Sequence, residues 1–233
     1  ICAEGGRMAA MFTMMNNARL GVGVQGIGVA DGAYQHALAY ANDRKQGKAA
    51  GSGTIIEHVD VRRMLATMKA DIFASRAIAM ACAVAIDMTS ATGDPSWKTR
   101  AAFLTPIAKS FGTDTGIKVA GDGIQVHGGM GFIEETGAAQ YMRDARILTI
   151  YEGATGIQAL DLLGRKVLLS SRGKCVREFS KKLVDFGTKN LRDPKLRPFA
   201  WKLLKIAAEW NYLTTRIMLV AAKDRDMVST ASY

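Results

Sequence analysis

The sequence is poor in the residues that build disulfide-stapled or β-rich folds. Its 233 residues include 3 cysteines, 4 prolines and 3 histidines, and aromatics make up 7%. Cys2, Cys82 and Cys175 are far apart and show no paired spacing. A disulfide framework is therefore not expected, and a reducing compartment fits better. Three widely spaced histidines form no ligand pattern, so no metal site is expected. The low aromatic content, and the lack of any useful run of alternating polar and apolar residues, argue against a β-sandwich. The longest clean apolar stretch, residues 77–86, is too short to span a bilayer. The chain opens at Ile1 with no initiator methionine and no signal-peptide pattern, so a piece of a longer protein is expected.

What is present is an ordinary globular composition, 48% hydrophobic and 22% charged. The net charge of +10 is unevenly placed: residues 165–233 carry 16 Lys and Arg against 6 Asp and Glu, which accounts for the whole excess. The first reading of this excess is solvated helix faces, and the second is docking onto an acidic surface. The basic residues are not interleaved with a nucleic-acid reading motif, so no nucleic-acid partner is expected.

Apolar residues at helical spacing predict a long helix over residues 11–42, bent near its glycines at 21–28. A Gly/Lys/Ser-rich loop follows at 44–54 and a second long helix at 56–92, ended by Gly93-Asp94-Pro95. A third helix is expected over 97–121, a glycine-rich turn over 122–131, a short helix within 134–146 and a fourth long helix over 153–169. Two more amphipathic helices, at 175–190 and 195–223, are separated by Asp193-Pro194. The expected fold is all-α: a four-helix up-and-down bundle with a C-terminal helical extension. Its parts are 1–10, the end of a preceding domain or a linker; 11–169, the bundle; and 170–233, the basic extension, itself cut short.

One short motif misleads. Gly21-Val-Gly-Val-Gln-Gly26 spells a dinucleotide-binding fingerprint, but the segment before it is helical in pattern and no βαβ unit surrounds it. Small residues that let two helices approach closely explain it better. A more informative residue is Glu152, in Tyr151-Glu-Gly-Ala-Thr-Gly-Ile-Gln158. It sits in a short glycine-flanked break before a helix, where a carboxylate can either complement a helix dipole or project into a pocket as a general base.

Three motifs in order carry a family resemblance: Gln125-Val-His-Gly-Gly-Met-Gly131, Arg143-Asp-Ala145 and Tyr151-Glu-Gly153. Together they resemble the C-terminal helical domain of the flavin-dependent acyl-CoA dehydrogenases, over roughly residues 11–169. The stretch at 11–47 and Ile56-Glu-His-Val-Asp-Val-Arg-Arg-Met64 resembles the larger branch with an extra C-terminal helical region, to which the methylmercaptopropionyl-CoA dehydrogenases belong.

The resemblance implies that Glu152 is the base that removes the α-proton of an acyl-CoA thioester. Its backbone N–H and a flavin hydroxyl would stabilise the developing enolate, while the β-hydrogen leaves as hydride to FAD. Some members place the base on the first helix, but the matching positions here, about Asn17 and Ala18, cannot serve. The resemblance assigns Arg44, Gln46, Gln125 and Gly129 to FAD, partly across a subunit interface, and Asn16, Arg19, Tyr151 and Gly153 to the acyl-CoA. Departures are Asn16 where Asp is frequent, no Phe after Gln46, and Ala154 in place of Thr, with Thr155 beside it. The implied partners are an acyl-CoA substrate, an electron-transfer flavoprotein and further copies of the chain. The implied location is the bacterial cytoplasm ahead of the mitochondrial matrix. The central barrel and N-terminal helical domain of the family are not in this sequence, so the isolated chain is expected to be inactive. An acyl-CoA oxidase and a non-catalytic helical oligomerisation module are the alternatives.

Overall fold

The computed structural model describes residues 7–48, 51–221 and 224, with side chains described from Met14. The linker expected at the start of the chain lies partly outside the described residues, at 1–6, and from Arg7 the chain is helical. The architecture is all-α. Helices α1 (Arg7–Asp43), α2 (Val59–Thr92) and α3 (Pro95–His127) are long. After them come α4 (Gly129–Phe132), α5 (Ala138–Leu148), α6 (Thr155–Leu160), α7 (Lys174–Asn190) and α8 (Arg197–Ala221). Among the described residues there is no strand, only an isolated bridge between Lys45 and Thr54.

Two compact units divide the chain, residues 1–158 and 159–233. In the first, α1, α2, α3 and α5 alternate in direction around α3. Ala33 of α1 faces Gly123 of α3, and Gly23 faces Ala108, so α1 and α3 run parallel. Ser75 Oγ meets Thr115 Oγ1 at 2.8 Å, and Cys82 Sγ meets Thr105 Oγ1 at 3.5 Å, so α2 runs the other way. The core is built from small and flexible side chains: Ala30, Ala37, Ala41, Met68 and Val119 are each 0% exposed. In the second unit, Gly187 of α7 receives Leu204 of α8, and Phe179 meets Trp210 edge-on at 5.7 Å.

Local chemistry fixes the helix ends. Gly93 takes φ +68 and returns its N–H to the Thr89 carbonyl, closing α2 in the left-handed cap that favours glycine. Asp94 then caps α3 by accepting from the Ser96 N–H at 2.8 Å, with Pro95 in the first helical position. Elsewhere the sequence expectation needs correction. Helix α3 does not stop near residue 121 but continues to His127. Its last turn is held to α1, where the His127 ring stacks on Tyr40 at 4.3 Å and on His36 at 4.7 Å. The expected turn shrinks to Gly128, followed by the single turn of α4. The helix expected over 153–169 is split into α6 and a π-helical stretch, Asp161–Ser170. Gly164 lies inside that stretch, and a weak helix former allows the hydrogen-bond ladder to slip to the wider register. Helix α1 is one continuous helix through its glycines, in line with the single long helix expected there.

Two of those glycines, Gly23 and Gly26, act by close approach to α3. A Cβ on Gly26 would lie 2.5 Å from the Gly112 carbonyl oxygen and 2.8 Å from the Thr113 Cα, both backbone atoms that cannot swing aside. Gly26→Ala should therefore destabilise the protein by about 1–3 kcal/mol. Gly21 has nothing within 4 Å of its Cβ position, so Gly21→Ala should stabilise by roughly 1 kcal/mol. Urea titration of both variants checks the pair, and equal shifts would contradict this account of helix contact.

By length and composition α2 could cross a membrane. One face of it, with Leu65, Met68, Ile72 and Ala85, is buried in the bundle, while 28% of its most apolar window is buried in all.

Candidate functional site

The end of α5 and the start of α6 bracket the turn that carries Glu152. Thr149 closes α5, its Oγ1 donating to the Arg146 carbonyl at 3.1 Å and accepting from Arg146 Nη1 at 2.6 Å. The Ile150 and Tyr151 N–H groups both return to the Ile147 carbonyl, at 3.0 and 3.2 Å. The Thr155 N–H reaches back to the Thr149 carbonyl at 3.2 Å, so the turn is closed on itself. At its tip Glu152 has φ +54, one of two non-glycine residues with positive φ among those described. A non-glycine residue held there is strained, and such strain clusters at functional sites. Gly153 follows at φ +93, and its missing side chain is required: a Cβ would lie 2.6 Å from Gln158 Nε2.

Beneath the tip lies a polar layer. Gln158, 1% exposed, donates through Nε2 to the Glu152 and Gly153 carbonyls at 3.3 and 3.1 Å, while its Oε1 has no protein partner among the described residues. Arg19, 4% exposed, brings its guanidinium up under Gly153. Lys109, 0% exposed, donates from Nζ to the Leu148 carbonyl at 2.8 Å. Burial pushes the Lys109 ammonium below its ordinary value; the field of Asp114 opposes this, Arg19 reinforces it and Glu152 opposes it. Asp114 keeps more than a third of its surface exposed. Desolvation nonetheless raises its carboxyl, against the lowering effects of Lys109 and of a hydrogen bond from Thr155. The Glu152 carboxylate is half-buried and accepts no hydrogen bond from any described residue. The buried Lys109 ammonium is close enough to feel its field.

The residues singled out in the sequence fall into two groups. Tyr151, Glu152, Gly153 and Arg19 come together, and Asn16 lies one turn before Arg19 on α1. The Tyr151 hydroxyl donates to Gln25 Oε1, which ties the turn to the same helix. Arg44, Gln46, Gln125 and Gly129 are all exposed and lie at the far end of the bundle, where α1 and α3 both finish. Arg44 is bonded through its backbone, its carbonyl accepting from the Ile55 N–H at 2.8 Å. Gln46 accepts from His58 Nε2 through its carbonyl at 3.1 Å. Gly129 has open space where a Cβ would stand. From Gln25 to Arg44 the rise of α1 amounts to roughly 30 Å, so the two groups are separate surfaces of one chain. Behind the second group, His127 is 4% exposed, with Nδ1 bonded to the Gly123 carbonyl at 2.7 Å. Burial lowers its basicity, the Gly123 bond opposes this, and His36 lowers it further.

Sequence reasoning missed Lys109, Gln158, Asp114 and Gln25. Lys109 is a single charge in the run Pro106-Ile-Ala-Lys-Ser-Phe111, which reads as an ordinary solvent-facing position. Gln158 carries no signal beyond its place six residues after Glu152.

Comparison with known proteins gives a consistent result. The family profile described as acyl-CoA dehydrogenase, C-terminal domain, matches residues 4–168. The chain is 48% identical over 189 residues to the 3-methylmercaptopropionyl-CoA dehydrogenase of Ruegeria pomeroyi, covering 78% of this chain and 32% of that protein. It is 31% identical over 233 residues to a broad-specificity linear acyl-CoA dehydrogenase of Mycobacterium tuberculosis, covering 93% of this chain and 38% of the relative. Among solved structures, butyryl-CoA dehydrogenase from Megasphaera elsdenii superposes with a TM-score of 0.58 at 29% identity, over 69% of this chain and 38% of that one. ACDH-11 of Caenorhabditis elegans shares the fold at 22% identity, with a TM-score of 0.74 over 94% of this chain and 35% of the other. The chain thus spans about a third of the length of the curated relatives it matches.

Proposed function

Since the chain belongs to the acyl-CoA dehydrogenase family, as its C-terminal domain, we propose that it carries the general base of an FAD-dependent acyl-CoA dehydrogenase. The observation that carries this reading is the Glu152 turn. There a half-buried carboxylate without a hydrogen-bond partner among the described residues is held at positive φ above buried Arg19 and Lys109. A base needs an unengaged lone pair, and the closed turn holds the backbone from which this carboxylate projects, which supports the reading.

The residues at the far end of the bundle fit a dinucleotide cofactor by their donor chemistry. Arg44 offers a planar fork suited to a diphosphate, Gln46 and Gln125 offer exposed amides, and Gly129 leaves room for close approach. We assign these four residues to FAD. Bound FAD supplies the acceptor for the β-hydrogen of the substrate. Because the two groups are some 30 Å apart along α1, one cofactor cannot bridge them within one chain. A homo-oligomer, in which Arg44 and Gln125 serve a neighbouring copy, follows from this reading.

In the mechanism, Asn16, Tyr151 and Gly153 border the thioester, with Arg19 beneath. Glu152 Oε accepts the α-proton as the Cα–H bond breaks. We assign the backbone N–H of Glu152 to the thioester oxygen, where it would stabilise the negative charge that develops. The 3-methylmercaptopropionyl-CoA and butyryl-CoA named for the relatives are the first substrates to try. An electron-transfer flavoprotein is the proposed electron acceptor. The bacterial origin of these relatives supports a cytoplasmic site of action. We take residues 11–169 as the family bundle and 170–233 as a basic extension of it.

Absorbance at the flavin band of the full-length, FAD-loaded protein tests the reading. Anaerobic bleaching by one of these two esters is expected. A protein that holds FAD and is bleached by neither would overturn the assignment to this chemistry.

A further inference from the structure

A turn strained at Glu152 does not hold its shape unaided. Gln158 secures its far side by bonding the Glu152 and Gly153 carbonyls. The near side departs from Leu148, and there the holding group is Lys109 from α3. This lysine is unusual on physical grounds. It is 0% exposed, and its single hydrogen bond among the described residues is to the Leu148 carbonyl. Burying an ammonium with one neutral acceptor is unfavourable, and a helix–helix contact at that place needs no charge. The charges facing it are Asp114 on its own helix, Arg19 on α1 and Glu152 on the turn.

We propose that Lys109 is a positioning residue for Glu152: its ammonium pins the Leu148 carbonyl, and with it the point from which the turn projects the carboxylate. The inference rests on Glu152 being the base. The linkage is short and stiff. Leu148 ends α5, and the N–H groups of Ile150 and Tyr151 are bonded back to Ile147, so a displacement at Leu148 is carried through this closed turn to Glu152, four residues on. A shift of about 1 Å in a reacting group lowers rate by up to 10²-fold. Asn16 lies on α1, and the Tyr151 hydroxyl is held separately by Gln25, so the substrate contacts assigned to these two residues have an anchor besides Lys109.

The experiment uses full-length, FAD-loaded Lys109→Met, Lys109→Arg and Glu152→Gln proteins with 3-methylmercaptopropionyl-CoA or butyryl-CoA, whichever reduces the wild type. Rapid-mixing absorbance gives the limiting rate of flavin reduction and the substrate dissociation constant separately. Hydrogen exchange of the peptide spanning residues 149–155 reports the turn. Lys109→Met is expected to lower the limiting rate by about 10- to 100-fold, with the dissociation constant within about 3-fold and exchange accelerated at 149–155 alone. Lys109→Arg, which keeps a charged donor, is expected to recover part of both. A Lys109→Met protein with wild-type rate, while Glu152→Gln is inactive, would overturn the positioning role and leave the base intact. A Glu152→Gln protein of wild-type rate would remove the base reading itself. Loss of helix and flavin in Lys109→Met, or accelerated exchange throughout the bundle, would make Lys109 a folding residue and overturn the proposal.

Discussion

Glu152→Gln in the full-length, FAD-loaded protein is expected to lose turnover by about 10²-fold or more while keeping its flavin and its fold. The amide is nearly isosteric with the carboxylate but cannot accept the α-proton. The turn should survive the exchange, because the bonds that define it use backbone carbonyls and N–H groups, not the Glu152 side chain. Removing a carboxylate from above Arg19 and Lys109 deletes a favourable field but breaks no hydrogen bond among the described residues. A steady-state assay with flavin content measured on the same sample separates a chemical loss from a structural one. Turnover within a few-fold of wild type would place the base elsewhere.

Arg44→Ala is expected to weaken FAD retention far more than it weakens folding. The Arg44 side chain is exposed, and its backbone bonds to Tyr40 and Ile55, at 2.8 Å each, are kept by alanine. Loss of a charge-assisted contact to a phosphate amounts to about 1.5–3 kcal/mol, or roughly 10- to 150-fold in affinity. Flavin remaining after dialysis, compared with the urea midpoint of the same variant, reads the two effects apart. Unchanged occupancy would remove Arg44 from the cofactor site.

Much of the bundle was legible in the sequence because its signals are local. Gly93-Asp94-Pro95 states a helix stop and a helix start within three residues, and the structure uses each in that role. Two of the three dinucleotide-like glycines of α1, Gly23 and Gly26, are helix contacts as expected, while Gly21 faces open space. What depends on tertiary packing was not legible. The last turn of α3 persists through a glycine-rich segment because His127 stacks on two rings from α1, which no local rule contains. The π-helical stretch at Asp161–Ser170 looks like an ordinary amphipathic helix in sequence.

The same division holds at the site. Glu152 could be found from its neighbours Tyr151 and Gly153 and from motifs upstream. Its positive φ could not, because glycine at 153 is the residue that advertises a left-handed turn. Lys109 lies more than forty residues earlier on another helix, and its burial is a property of the assembled bundle. The separation of the Arg44 group from the Glu152 group is likewise invisible until α1 is seen to run continuously between them.

Exchange of the substrate α-hydrogen with solvent deuterium tests the central claim most directly, since it reports proton abstraction without depending on any electron acceptor. Full-length protein is incubated anaerobically in deuterated buffer with a 3-thia analogue of the acyl-CoA, which has no β-hydrogen to lose, and the thioester is analysed by mass spectrometry. Wild type should incorporate deuterium at the α-carbon, and Glu152→Gln should incorporate about 10²-fold more slowly or worse. Exchange at the wild-type rate in Glu152→Gln would contradict the assignment of Glu152 as the group that takes the α-proton.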